Sequence, residues 1–177
     1  MSYVLLDATS LGRALTRMAH QIAERNGDED GVFVVGVQSG GVDLAYRLSK
    51  ILQGIWKRDV PHGTLDVSMH RDDLDARGTL VVRSTHLPGD ITGRAVVLVD
   101  DVLYSGRTAR AALDALNDFG RPRRIQLAVL VDRGGRELPI AADFVGVKAS
   151  PRANQRIDVC LTEHSQRDEV LVEDAMS

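Results

Sequence analysis

Short apolar runs recur along the chain, and two of them lead directly into helical patterns. Residues 32–37, 95–99, 125–131 and 144–147 are almost wholly apolar, which predicts buried strands. Strands that alternate with helices predict an α/β fold, here a doubly wound, mainly parallel sheet with helices on both faces. Such sheets bind ligands at the carboxyl ends of their strands.

Helical spacing of apolar side chains appears in three stretches. The positions are Leu11, Leu15, Met18 and Ile22; then Val42, Ala45, Leu48 and Leu52; and then Ala109, Ala112, Leu113 and Leu116. Thr9 or Ser10 is the candidate N-cap of the first helix and Gly27 its end, while Gly120 and Pro122 close the third.

Weaker patterns predict a hairpin and two edge strands. Residues 65–71 and 79–83 alternate well enough to be the arms of a hairpin whose polar tip spans 72–78. Residues 157–161 and 170–172 are candidate edge strands. The stretch from His70 to Arg77 is polar and charged, so we expect it to form a mobile flap.

Composition narrows the class of protein. A chain of 177 residues, 44% hydrophobic and 27% charged, suits one domain, here residues 1–177. The net charge of −3 gives no global sign of nucleic-acid binding, so any RNA surface must be a local patch. The single Cys160 has no partner for an internal disulfide, and no apolar run approaches the roughly 20 residues that span a bilayer. We therefore expect a cytoplasmic protein without membrane contact.

The segment from Val96 to Thr108 carries the clearest chemistry, because an apolar strand runs into Asp100-Asp101 and then into a small-residue turn that opens a helix. Backbone N–H groups of residues 104–108, reinforced by the helix dipole, form a site for a phosphate. The two carboxylates would repel that phosphate and suit sugar hydroxyls or Mg²⁺ nearby. A sugar 5-phosphate with vicinal hydroxyls is the expected ligand, whereas the alternative is an ordinary loop with two solvated carboxylates.

Several strings together resemble the type I phosphoribosyltransferases. They are Val99-Asp100-Asp101-Val102-Leu103-Tyr104-Ser105-Gly106-Arg107-Thr108, Gln126 to Gly134, Arg13 to His20, Arg71-Asp72-Asp73-Leu74 and Arg136-Glu137-Leu138-Pro139-Ile140. The first two are similar, more narrowly, to the family of pyrimidine-operon attenuation regulators that are also uracil phosphoribosyltransferases. The likeness extends from about residue 5 to residue 147 and fades beyond it.

This resemblance implies the type I phosphoribosyltransferase fold, with a small hood built from the chain ends. It implies conversion of uracil and phosphoribosyl pyrophosphate (PRPP) to UMP and pyrophosphate, with Mg²⁺ held mainly through PRPP and not directly by the protein. The implied catalytic residues are Arg71, on the flap, with Asp100 and Asp101. The implied PRPP-binding residues are Ser39, Gly40, Gly41, Asp100, Asp101, Val102, Leu103, Tyr104, Ser105, Gly106, Arg107 and Thr108.

The loop Gln38-Ser39-Gly40-Gly41 departs from the family pattern. In the family the corresponding loop binds pyrophosphate, is usually Thr-Arg-Gly and often contains a non-proline cis peptide. Gly40 stands where the family has arginine, which leaves backbone donors and the Ser39 hydroxyl against a highly charged group. We therefore expect weakened PRPP binding and reduced activity.

The resemblance also implies a base-binding edge and an RNA-binding face. The base-binding residues are Val131, Asp132, Arg133, Phe144 and Val145, and the RNA-binding residues are Thr16, Arg17, His20 and Arg136. The expected partners are uracil, UMP or UTP, the pyr-operon mRNA leader and a second copy in a homodimer or higher homo-oligomer. Residues 141–147 lack the arginine and lysine that the family commonly carries there, which weakens the prediction of RNA binding.

Two other functions stay open from the sequence. One is a nucleotide-sensing regulatory protein without useful catalysis, which would bind UMP without turnover. The other is a hypoxanthine-guanine-type purine phosphoribosyltransferase, which an activity screen across bases would identify.

Overall fold

The fold is built around a five-stranded parallel sheet. This computed structural model describes residues 2–27, 31–70 and 83–175. The strands of the large sheet are β2 (Val32–Val37), β3 (His62–Leu65), β4 (Ala95–Leu103), β5 (Arg124–Asp132) and β6 (Phe144–Lys148), in the order β3-β2-β4-β5-β6. All four neighbouring pairs run parallel, so their carboxyl ends share one edge. The predicted doubly wound α/β fold is confirmed.

Helices cover both faces of this sheet. On one face, α1 (Ala8–Asn26) and α2 (Gly40–Trp56) pack against alternate strand residues such as Val34, Val97 and Leu130. On the other face, α3 (Arg107–Leu116) packs against Val35, Leu98 and their neighbours. Because both faces are covered, the central strands carry the continuous apolar runs that predicted them.

The hood is a separate three-stranded antiparallel sheet. It consists of β1 (Tyr3–Leu6), β7 (Gln155–Cys160) and β8 (Glu169–Asp174), in the order β1-β8-β7. The two strands expected at the edge of the main sheet therefore pair with each other, and β1 was not predicted. The chain ends do form the hood, as the resemblance implied.

Two local predictions are corrected. Asp7, not Thr9 or Ser10, caps α1, because its carboxylate accepts a 2.8 Å hydrogen bond from the N–H of Ser10. The arm expected over 65–71 ends as a strand at Leu65, and Ser68–His70 form a 3-10 turn. Among the described residues of this region, an isolated antiparallel bridge joins Thr64 to His86. Residues 71–82, with the predicted tip and Arg71, lie outside the described residues.

No helix in the described ranges is both long and apolar enough to cross a membrane.

Candidate functional site

The carboxyl ends of β2, β4 and β5 bring the predicted phosphate, pyrophosphate and ribose residues to one edge of the sheet. Leu103 at the end of β4 lies level with Asp132 of β5, and Asp132 lies level with Lys148 of β6. Residues 38–39 connect β2 to α2 at the same edge. Parallel pairing thus assembles segments that are up to about a hundred residues apart in sequence.

The phosphate turn lies between β4 and α3, as predicted. It borders a cavity of about 270 Å³ that Asp100, Val102, Leu103, Tyr104, Ser105, Gly106, Arg107, Thr108, Ala109 and Glu137 line. Gly106 precedes the first turn of α3 with φ of 94°, a backbone conformation that L side chains rarely adopt. The start of α3 therefore faces this turn with the positive end of its dipole.

The two acidic residues at the end of β4 are half-buried and held by local backbone bonds. Asp100 accepts a 2.9 Å bond from the N–H of Asp101, and Asp101 accepts a 2.7 Å bond from the N–H of Val102. These bonds fix one carboxylate oxygen of each residue. An adjacent pair of oxygen-bearing groups suits ribose hydroxyls or a Mg²⁺ ion shared with a diphosphate. Within the described residues, no group of three or more His, Cys, Asp or Glu side chains is arranged to hold a metal alone.

The loop before α2 lies directly against this acidic pair. A Cβ on Gly40 would be 2.1 Å from Oδ2 of Asp101, and one on Gly41 would be 2.1 Å from the carbonyl oxygen of Val99. The peptide bond between Gln38 and Ser39 is cis. The two glycines thus allow the candidate pyrophosphate loop to touch the candidate ribose site.

The predicted base-binding residues divide into two groups. Asp132 and Arg133 lie at the site edge, directly after the buried Val131. Phe144 and Val145 do not: they begin β6 and pair with Ala128 and Val129 in the middle of β5, and Phe144 is buried in the core. This position disagrees with stacking of Phe144 on a base. Lys148, at the carboxyl end of β6, occupies the edge instead and was missed.

The predicted RNA-binding residues are also divided. Thr16, Arg17 and His20 lie on the exposed face of α1, where the Thr16 hydroxyl donates to the Gly12 carbonyl and Arg17 donates to that of Gly146. Arg136 is only 23% exposed, and its guanidinium donates to backbone carbonyls and to Asp132 beside the phosphate turn. The structure thus places Arg136 beside the candidate phosphate turn, a position that sequence spacing alone did not indicate.

Asp132 is ionised more readily than an ordinary aspartate. Burial would raise the pKa of its carboxyl group, but hydrogen bonds from the N–H of Gly134 and from Arg136 outweigh burial and lower the pKa. Arg133 stacks on Tyr104, with the guanidinium carbon 4.2 Å from the ring centroid. The end of β5 is therefore connected to the phosphate turn by two arginines.

Comparison with known proteins gives one consistent family. The profile of the phosphoribosyl transferase domain matches residues 4–163. The "Bifunctional protein PyrR" of Roseiflexus sp. (strain RS-1) is 56% identical over 160 residues, which cover 90% of this chain and 87% of that protein. The protein of the same name from Streptomyces coelicolor is 52% identical over 169 residues, covering 95% and 88%.

Two solved structures with a similar fold are purine phosphoribosyltransferases of low sequence identity. A hypoxanthine-guanine phosphoribosyltransferase from Bacillus anthracis, with HEPES in its active site, superposes with a TM-score of 0.73 at 20% identity and covers 98% of each chain. The hypoxanthine phosphoribosyltransferase of Trypanosoma cruzi gives 0.72 at 18% identity, covering 98% of this chain and 97% of its own. At such identity, the likeness establishes the type I phosphoribosyltransferase fold alone.

Proposed function

Since the chain belongs to the phosphoribosyl transferase family, and within it to the bifunctional PyrR proteins, we propose that it converts uracil and PRPP to UMP and pyrophosphate. We further propose that it binds mRNA and thereby regulates pyr-operon expression in response to UMP or UTP. One observation supports the enzymatic half most directly. The phosphate turn and Asp100 line a cavity of about 270 Å³ at one edge of the sheet, and the 38–41 loop lies against Asp101 at the same edge. That arrangement matches the three parts of PRPP.

Each part of the site has a distinct task in this proposal. The turn at 104–108 binds the 5-phosphate, and Asp100 and Asp101 hold the ribose hydroxyls. The 38–41 loop binds pyrophosphate, and Arg71 neutralises it as it leaves. Asp132 and Arg133 border the base, with Lys148 at the same edge. When Mg²⁺ is bound through PRPP, it supplies positive charge to the diphosphate.

The acidic pair also stabilises the reaction centre. Ribosyl transfer gives the sugar carbon cationic character as pyrophosphate departs. Carboxylates held at fixed positions beside the ribose stabilise that developing charge without having to reorganise. Because Asp101 also contacts the 38–41 loop, one carboxylate lies between the ribose and pyrophosphate sites.

A comparison of substrates tests the proposal. PRPP-dependent turnover is measured with uracil, hypoxanthine, guanine and orotate under the same conditions. We expect turnover with uracil. Turnover with the purines instead would establish the purine alternative, and UMP binding without turnover would establish a regulator without useful catalysis.

Asp101→Asn tests the site itself. Loss of the charge weakens the hydrogen bonds to ribose hydroxyls, so we expect UMP affinity to fall by about 10- to 100-fold in calorimetry, the equivalent of about 1.5–3 kcal/mol. Asp114→Asn is the matched control, since Asp114 is 52% exposed on α3 and pairs with Arg110. Unchanged UMP affinity in folded Asp101→Asn would refute the role of Asp101.

The regulatory half rests on α1. Thr16, Arg17 and His20 form an exposed patch able to donate hydrogen bonds to phosphates of the mRNA leader, and we place the protein in the cytoplasm, where that RNA is found. A single domain over residues 1–177 and assembly into a homodimer or higher homo-oligomer complete the proposal.

A further inference from the structure

Residues 133–140, which we call the clasp, wrap around the phosphate turn. Arg107 of the turn is paired with Glu137 at 2.8 Å, and a Cβ on Gly106 would lie 3.4 Å from Leu138 and from Ile140. Gly135, with φ of 74°, lies so close to Tyr104 that a Cβ would be 2.6 Å from its ring. The clasp therefore contacts the turn through Gly135, Glu137, Leu138 and Ile140.

The clasp holds three consecutive carbonyl oxygens of the turn. The Leu103 oxygen accepts from the N–H of Arg133 at 3.0 Å, and the Tyr104 oxygen accepts from Nη1 of Arg136 at 2.9 Å. The Ser105 oxygen accepts from the N–H groups of Glu137 and Leu138 at 2.9 and 3.1 Å. Three successive peptide planes are thereby fixed.

Fixing these carbonyls also fixes the opposite sides of the same peptides. In a trans peptide the N–H points away from the C=O, so the N–H groups of Tyr104, Ser105 and Gly106 are turned away from the clasp. These three N–H groups are among those of residues 104–108 that are proposed to bind the 5-phosphate. A donor set that is already oriented binds an anion without first losing conformational entropy.

Arg136 is the centre of this arrangement. Its Nε donates to the Ile140 oxygen at 2.9 Å, which closes the clasp on itself, and its Nη2 donates to Asp132 at 2.7 Å. Its Nη1 reaches the turn. One guanidinium thus joins the end of β5, the clasp and the phosphate turn, and its positive charge lies behind the carbonyls of the turn.

Resting on the proposed function, we infer that Arg136 is a positioning residue for the 5-phosphate: it orients the backbone donors of the phosphate turn through the clasp. The ligand class is a ribose 5-phosphate, whether in PRPP or in UMP.

The test separates affinity for the phosphate from recognition of the base and of RNA. In Arg136→Gln, we expect the Kd for UMP and the KM for PRPP to rise at least about tenfold, while the KM for uracil at saturating PRPP rises by a clearly smaller factor. Affinity for pyr leader RNA at saturating UMP is measured alongside, which distinguishes a loss of RNA binding alone from a loss of affinity for the phosphate. Arg136→Lys keeps the charge but loses the planar fork, so it should recover the UMP affinity only in part.

Arg110→Gln is the matched control. It removes the same charge from a side chain that is 54% exposed on α3, so it reports any long-range electrostatic loss, and its UMP affinity should stay within about twofold. If Arg136→Gln does not fold, the same comparison is made with Arg136→Lys.

The outcomes differ for the inference and for the function. Unchanged UMP affinity, an equal rise in the KM for uracil, or a loss confined to RNA would overturn the positioning role while the enzyme stands. A wild-type protein with neither UMP binding nor turnover would refute the proposed function itself, and the inference with it.

Discussion

Gly36 and Gly41 let two backbones approach at the base of the pyrophosphate loop. A Cβ on Gly36 would be 2.5 Å from the Gly41 carbonyl oxygen, and one on Gly41 would be 2.1 Å from that of Val99. Both obstacles are backbone atoms, which cannot rotate away. At each of these positions a larger side chain would push the loop off the end of β4.

Gly41→Ala is therefore expected to destabilise the fold by at least about 2 kcal/mol, since overpacking against fixed atoms is costly. Gly12→Ala is the control, because Gly12 lies in α1 with nothing within 4 Å of its Cβ position. There the better helix propensity of alanine should stabilise by about 0.5–1 kcal/mol. Urea unfolding of both variants measures the difference, and equal stabilities would contradict the close approach.

At the scale of elements, one arginine ties α2 to the loop between β7 and β8. Arg47 of α2 pairs with Asp168 at 2.7 Å and with Glu163, and it also donates to the Thr162 hydroxyl at 3.0 Å. The hydrogen bond from Arg47 lowers the pKa of Asp168 from 3.8 to about 2. Since α2 begins at the pyrophosphate loop, the hood is attached to the helix that supports this loop.

This attachment predicts loss of stability in acid. The folded state favours the Asp168 carboxylate, so the stabilisation is complete above about pH 5 and is lost as the pH falls through 3.8 towards 2. The lowered pKa corresponds to about 2 kcal/mol. Urea midpoints at pH 7, 4 and 3 measure this loss.

Arg47→Met should lower stability at pH 7 by about 2–4 kcal/mol, because it leaves two neighbouring carboxylates unpaired, and the deficit should shrink at pH 3. Arg156→Met, which removes an exposed pair with Glu173, should cost less than about 1 kcal/mol. A deficit in Arg47→Met that is the same at pH 7 and pH 3 would show that packing, not charge, anchors the hood.

The sequence predicts those elements whose burial is complete. The strand Val32–Val37 is buried at every position, so its apolar run marked both of its ends. The strand β1 escaped notice because only Leu6 of its four residues is buried. Phe144 was misplaced because an apolar run does not reveal the register, which sets the residue beside Ala128.

The candidate site, too, could be predicted from the sequence only in part. The phosphate turn and the acidic pair are contiguous in sequence, so their chemistry was visible in one string. The hydrogen bonds of Arg136 could not be predicted in this way. Three of its four partners are backbone carbonyls, which any residue type provides. Two of those carbonyls lie more than thirty residues away.

For the whole molecule, RNA binding is the function that depends least on the catalytic edge. Arg17→Gln should weaken binding to pyr leader RNA and lower the dependence of its affinity on salt by about one counterion, without changing uracil turnover. Affinities at several salt concentrations with saturating UMP measure this effect. Arg156→Gln, in the hood, removes the same charge and should change neither the RNA affinity nor its dependence on salt.

The result also bears on the bond between Arg17 and Gly146. The melting temperature of Arg17→Gln reports any loss of folded protein. If RNA affinity falls only in proportion to that loss, Arg17 stabilises the fold and does not contact RNA. Wild-type protein that binds the leader no better than an unrelated hairpin would refute the regulatory half.

The pairing of β1 with β8 has a consequence for biosynthesis. Tyr3 lies opposite Val172, so β1 is synthesised well before residues 169–174, with which it pairs, have emerged from the ribosome. The strands of the large sheet lie between them, within residues 32–148, and can assemble earlier. We therefore expect β1 to stay unpaired while the large sheet forms during translation. The hood, and with it the anchor at Arg47, then closes only after the large sheet.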